Sequence, residues 1–423
     1  DLKKKEKIFF YLLIMNRVVF LLALLFALNN GSIAVNWYET DDDCSLPSND
    51  ASTLSPDQQK QIEDSKYDCK QLSDQLANCT CALDFVNCNG KGFLSMPSDL
   101  SRLTSKVTRL LFANNRISRL DPLNLTSVAN IETLDLKYNQ IASIDKNAFG
   151  NGLAESVEYL RLCKNKDLND FNKLNATFPK LRELQLNRLQ VPLSITNGLF
   201  SNNTFPLLYK LYLNDVQLKL NDQPFLNMDQ LNYLRLDSNG LTDLPCENFA
   251  HLRSLVRLNL NYNALNETRG GLGKCLNKLT SLNELLLKAN RLSDTALDSL
   301  SLNNLEMLNL EANAYTRMPF GSLRELINLA HLRLTLEQRN TDESAFPVFS
   351  TKVWPKLVEL DLSNSSISFI RQRAFSHISN ELSELSLKNC KIVMIDPDAF
   401  ADLDNLIFVC AILLIFVNNS HLI

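Results

Sequence analysis

Between Val107 and Ile392 one short pattern recurs twelve times: an apolar residue, apolar partners at +3 and +5, and often Asn at +8. The occurrences begin at Val107, Ile131, Val157, Leu181, Leu208, Leu231, Leu255, Leu282, Leu305, Leu329, Leu357 and Leu382, with successive starts 23 to 28 residues apart. The alternation at +3 and +5 is strand periodicity, with both side chains pointing to one side. A segment of this length cannot cover its own apolar face. Each unit must therefore bury its leucines against its neighbours, and the stack grows with one continuous core.

This spacing is identified as a leucine-rich repeat. The fold class it implies is α/β: a right-handed solenoid, or horseshoe, with a parallel concave β-sheet. At about 4.8 Å per strand, twelve strands make a sheet of roughly 55 Å, long enough to grip a protein or a polysaccharide. Turns and short helices are expected on the convex side.

Asn115, Asn139, Asn165, Asn239, Asn263, Asn290 and Asn313 hold the +8 position, where the chain leaves the strand and its backbone groups lose their ladder partners. A buried amide supplies both donors and an acceptor there. Leu189, Val216 and Glu337 replace it in the fourth, fifth and tenth units, so irregular curvature or bound water is expected at those points. Ser365 and Cys390 are milder replacements. Phe149, Phe249, Phe375 and Phe400 each lie 18 residues after their unit's first apolar position and read as an aromatic stack inside the convex side.

With 423 residues and 45% apolar content the chain can build a large core. A net charge of −4, and no basic run beyond the first seven residues, argue against nucleic acid as a partner. Residues 1–34 read as a signal peptide starting at Met15, with 1–14 as upstream translated sequence; an uncleaved anchor is the alternative. Residues 35–68 form a polar lead.

Cysteines crowd the region before the repeats. Cys79-Thr80-Cys81, six residues, Cys88 and then Gly90 to Pro97 resemble the cysteine-rich N-terminal cap of extracellular leucine-rich repeat proteins, placed here at residues 69–106. Such a cap covers the leucines the first repeat would expose. The resemblance implies the pairs Cys69 with Cys81 and Cys79 with Cys88. Zinc is disfavoured, because the cluster has no Cys-x-x-Cys and no nearby His. Cys44 is left over, with an intermolecular bond as one outcome. Cys246 and Cys275 fall on the convex side of adjacent units, where a bridge between them is one arrangement. Cys163 lies on the outward strand face, an unusual place for a free thiol in an exported chain.

Sequons at Asn78, Asn124, Asn175, Asn202, Asn266 and Asn364 agree with the secretory route. Most are expected outside strands. Asn364, at the end of the eleventh strand, would carry a glycan against the concave rim and push a ligand toward earlier units. The repeats are assigned to residues 107–405. Residues 406–423 read as an aberrant or truncated apolar tail, too short for a membrane span, and membrane attachment is left open.

No catalytic motif emerges. The histidines His251, His331, His377 and His421 are scattered, and no nucleophile elbow, phosphate loop or zinc-helix motif is present. The sequence calls for no cofactor and no metal. Binding is favoured, because residues alternating with the core leucines must face outward. The outward +2 and +4 positions give Tyr159, Arg161, Glu183, Gln185, Lys210, Tyr212, Tyr233, Arg235, Arg257 and Asn259, followed by His331 and Arg333. Tyr and Arg are the residue types that anchor interfaces, although each one alone also suits an ordinary solvated sheet.

Over residues 69–405 the chain resembles the 24-residue class of animal extracellular repeat proteins, such as Slit, Toll-type ectodomains and chaoptin-like adhesion proteins. The resemblance implies a non-enzymatic recognition protein, extracellular or at the cell surface, that binds a protein ligand or receptor through its concave face in adhesion, guidance or immune recognition. A homodimer is among the partners left open. The alternative is a secreted matrix component like the small leucine-rich proteoglycans, whose cysteine spacing Cys69 to Cys88 does not clearly match. A plant receptor kinase and a cytosolic ribonuclease inhibitor are both disfavoured, the first by its missing repeat signature and the second by the signal sequence.

Overall fold

The computed structural model describes Cys44 and residues 56–410, apart from 83, 104, 126–129, 166, 169–170, 172–175, 190–191, 194–198, 202, 219, 221–224, 267–270 and 338–352. The leader, most of the polar lead, Asn175, Asn202 and the tail beyond 410 lie outside the described residues. The chain divides into two compact parts, Asp1–Ser45 and Leu46–Ile423. In the first only Cys44 is described, and it is buried and disulfide-bonded.

The second part is a parallel-sheet solenoid with little helix. Among the described residues its main sheet has sixteen strands. The first three, Lys66–Tyr67, Thr80–Ala82 and Phe85–Asn87, pair antiparallel. From Phe85–Asn87 onward every neighbour is parallel, through Arg109–Leu111, Thr133–Asp135, Tyr159–Arg161 and the later units to Phe408–Cys410. That last strand adds a thirteenth rung where the sequence suggested only an aberrant tail, because Val409 takes the place opposite Leu385 that each +3 residue takes in turn.

Register follows from burial. Leu134, Leu160, Leu184, Leu211, Leu234 and Leu258 stand directly opposite one another on successive strands, all essentially inaccessible to solvent. Burying each such side chain contributes about 1.5 to 3 kcal/mol, and a one-residue slip would turn the whole rib outward. On the far side of the turns the aromatic stack is longer than the sequence suggested. Phe178, Phe205, Phe200 and Phe225 link Phe149 to Phe249 at centroid separations of 5.2 to 6.3 Å, and Phe375 packs on Phe400 at 5.6 Å.

The asparagine ladder closes each turn. In the third unit the Asn165 Nδ2 donates to the carbonyls of Leu162 (2.7 Å) and Leu136 (3.1 Å), while its Oδ1 accepts from the Ile141 amide at 2.9 Å. The same three-way bonding recurs at Asn139, Asn239 and Asn290. One residue earlier, at +7, the chain turns through a left-handed conformation: Asn114, Tyr138, Lys164, Arg188, Asp215, Ser238, Tyr262, Ala289, Ala312, Asn364 and Asn389 have φ between 53° and 62°. The tenth unit has no such residue. There Leu336 remains in the strand His331–Leu336, and its pairing with Met307–Tyr315 shifts register between Leu310 and Tyr315. This is the irregularity expected where Glu337 replaces Asn, but the same expectation at Leu189 and Val216 is not met: Arg188 and Asp215 keep the left-handed turn and the strands of those units pair without a register shift.

The two N-terminal bridges implied by the resemblance are formed, Cys69 to Cys81 and Cys79 to Cys88, with Cα separations of 5.4 and 4.6 Å. Cys246 and Cys275 are also bonded, between the short helices Cys246–Phe249 and Leu272–Leu276 of adjacent units. Gly273 lets that second helix approach the next unit, since a Cβ there would meet the Asp298 carbonyl at 2.7 Å. Cys163 is buried and disulfide-bonded. Cys390 is a free thiol, pushed up to about 11 by burial, and its Sγ lies 3.2 Å from the Leu362 carbonyl at the position an Asn would fill.

Candidate functional site

On every strand the residues at +2 and +4 project from the side of the sheet opposite the leucine rib. Parallel register turns them into two rows. Tyr159, Glu183, Lys210, Tyr233, Arg257 and Glu284 stand side by side in one row, and Arg161, Gln185, Tyr212, Arg235 and Asn259 in the other. The sequence-predicted residues of units three to seven are thus brought together. His331 and Arg333 lie in the same two rows, three rungs beyond Arg257.

Within the rows the side chains differ in what they have left to offer. Tyr212 and Tyr233 pack ring against ring at 5.2 Å, with Lys210 Nζ 6.0 Å from the Tyr233 centroid. Arg235 makes a fork on Asp237, at 2.9 and 3.1 Å. Tyr212, Tyr233 and Arg235 are only 3%, 8% and 7% exposed, so they shape the middle of the face more than they present area. Tyr159, Lys210 and Arg257 are more open, although Arg257 Nε also reaches Glu284 at 3.1 Å.

Farther along, His331 Nδ1 lies 3.0 Å from Glu359 Oε2 and Arg333 Nη2 lies 3.6 Å from Oε1 of the same carboxylate. Glu384, on the next rung, has its acidity weakened: burial and the neighbouring Glu359 carboxylate raise its pKa, and His331 opposes them.

At the other end of the face a hollow of about 310 Å³ opens over the first three units, lined among others by Arg109, Thr133, Asp135, Lys137, Tyr159 and Arg161. Arg109 is held by the cap, its Nε and Nη2 donating to Asp84 at 2.9 and 2.6 Å, which lowers the Asp84 pKa. Asp135 Oδ2 is approached by Lys137 Nζ at 3.6 Å and Arg161 Nη1 at 3.8 Å. Arg109, Asp135 and Lys137 occupy outward positions of the first two units. The signal that could have found them is the same +2, +4 and +6 rule, applied before the third unit.

Of the sequons, Asn78, Asn266 and Asn364 are exposed. Asn364 lies three residues past the strand Glu359–Asp361, at the left-handed turn, with its Oδ1 accepting from Asn389 Nδ2 at 3.1 Å. Asn124, against expectation, sits in a two-residue strand, Asn124–Leu125, that pairs with Asp99–Leu100 on a separate small sheet. Among the described residues no cluster of metal-binding side chains occurs.

Stacked rungs, an amide ladder and a bridged N-terminal cap define the class. The chain is a leucine-rich repeat protein of the extracellular kind, and the leucine rich repeat family model matches residues 206–265, 229–283 and 354–408. Podocan of Mus musculus is 29% identical over 302 residues, covering 67% of this chain and 47% of podocan. Chaoptin of Tribolium castaneum is 27% identical over 332 residues, covering 70% of this chain and 40% of chaoptin. Toll in the Drosophila Toll–Spatzle complex shares the fold, with a TM-score of 0.52 at 20% identity over 72% of this chain and 47% of that one. The chain spans about half the length of podocan or less of the other relatives named here. Its compartment is theirs, outside the cell or at its surface. No described helix is long and apolar enough to cross a membrane.

Proposed function

We propose that the chain is a non-enzymatic recognition protein that holds a protein partner against the outward face of its sheet, over units three to seven. One observation carries this reading. Register places Tyr159, Lys210 and Arg257 on one row of a single rigid face, so aromatic area and two cations are presented together with no loop to order on binding. The solved Toll–Spatzle complex shows that a protein of this fold engages a protein ligand, which supports the choice of partner class.

A secreted matrix role is the second reading, favoured by podocan and lumican among the relatives. The test is capture of partners from the native extracellular milieu by the secreted chain, repeated with Tyr159→Ala, Lys210→Glu and Arg257→Glu together. Capture of a defined partner that falls at least tenfold supports the face. Capture unchanged by the three substitutions removes it, and capture of insoluble fibres alone moves the conclusion to the matrix reading. Tyr212, Tyr233 and Arg235 are poor test positions, because truncating them would disturb the packing of the sheet itself.

A further inference from the structure

We propose that the hollow over the first three units is a subsite for an acidic side chain of the partner, with Arg161 as its anchor. This deepens the sheet-face reading and rests on it. Arg161 Nε is buried and makes no hydrogen bond, its nearest carboxylate oxygen, Glu183 Oε1, standing 3.5 Å away. That oxygen is already taken by Gln185 Nε2 at 2.9 Å. The other carboxylate within reach, Asp135, is shared with Lys137, and its Oδ1 accepts the Lys137 amide at 3.1 Å. The guanidinium is therefore placed by two loose ion pairs while a buried donor remains unspent, an arrangement that costs stability unless an acceptor arrives.

The lining selects the acceptor. Of the lining cations Arg109 is spent on Asp84 and Lys137 is drawn to Asp135, so Arg161, with its Nε unbonded, is the one placed to meet an incoming acceptor. A planar fork matches a carboxylate through two parallel bonds, whereas a lysine in its place would offer only a point charge. Leu111 and Tyr159 line the same hollow and suit the methylene stem of a Glu or Asp side chain. A sulfated polysaccharide fits less well, because Asp84, Asp135 and Glu183 interrupt the cations and would repel a continuous polyanion.

The experiment titrates the secreted chain with two probes: a synthetic octapeptide of alternating Glu and Gly, and a heparin-derived octasaccharide. The peptide is expected to bind in a salt-sensitive way. Arg161→Gln should weaken it at least tenfold and Arg161→Lys about three- to fivefold, while Arg324→Gln, at an exposed cation outside both the hollow and the two rows, should leave it unchanged. Equal thermal midpoints of the variants show that the fold is intact. Absence of peptide binding at millimolar concentration, equal losses in Arg161→Gln and Arg324→Gln, or binding of the octasaccharide in preference to the peptide would each overturn the proposal. A native partner lost on the Tyr159, Lys210 and Arg257 substitutions but retained by Arg161→Gln would overturn this subsite and leave the sheet-face reading standing.

Discussion

The third and tenth units start from the same rib of leucines and leave the sheet in different ways. In the third, Lys164 turns left-handed and Asn165, fully buried, bonds three backbone groups of two units at once. In the tenth the strand runs on to Leu336, whose amide is instead met by Ser365 Oγ of the following unit at 2.9 Å, and Glu337 points to solvent. The leucines thus decide that a strand forms. Where the amide is present it closes the turn, but Arg188 and Asp215 turn left-handed beside Leu189 and Val216, so the turn does not depend on the amide alone.

That contrast can be broken most sharply at its regular end. Asn165→Leu keeps the branched outline, somewhat enlarged, and removes the bonding, leaving two carbonyls and an amide without partners, and should cost about 3 kcal/mol. Chemical denaturation of the secreted chain would show a midpoint shift without a comparable change in slope, if any of the variant is secreted. Ser365→Ala deletes the substitute acceptor of the tenth unit and should cost about 1 kcal/mol by the same measurement. Glu337→Ala should change stability by less than about 0.5 kcal/mol, since an exposed side chain carries none of the ladder. A large loss there would mean that the Glu337 side chain supports the end of the strand, and the two units would no longer differ.

The smallest effect concerns a position two rungs beyond the tenth unit. Glu384 holds its proton more tightly in the folded chain than in the unfolded one, because burial and Glu359 disfavour its charge. Its contribution to stability is therefore present below the unfolded carboxylate range and is lost as pH rises through the folded value. Glu384→Gln should flatten the acid-side stability profile relative to the native chain. An identical profile would show that Glu384 does not sense Glu359.

How much of this could be read beforehand depends on which physical rule each residue obeys. The leucine rib was legible from Val107 to Ile392, because period-two burial has no alternative partner for those side chains. The ladder asparagines were legible for a similar reason, and Cys69 to Cys88 through their spacing. The left-handed residues were not: Tyr138, Arg188 and Ala312 share a conformation but no chemistry, and Arg188 adopts it beside Leu189, where the ladder amide is missing. The outward rows were found by position, yet position does not say that Arg235 spends its fork on Asp237 or that Tyr212 and Tyr233 cover each other. The first is a side-chain choice within one unit, and the second is a cross-rung pairing fixed by register between adjacent units. The thirteenth rung was hidden because its strand merges into an unbroken apolar run.

The most direct test of the account is side-chain footprinting of the secreted chain, alone and saturated with its captured partner, by radical labelling read residue by residue. Protection should concentrate on Tyr159, Lys210 and Arg257, with Arg161 among them if an acidic side chain enters the hollow, while Tyr262 on the rim and the exposed residues of the outer turns stay as reactive as before. Protection confined to those outer turns, with the two sheet rows unchanged, would contradict it.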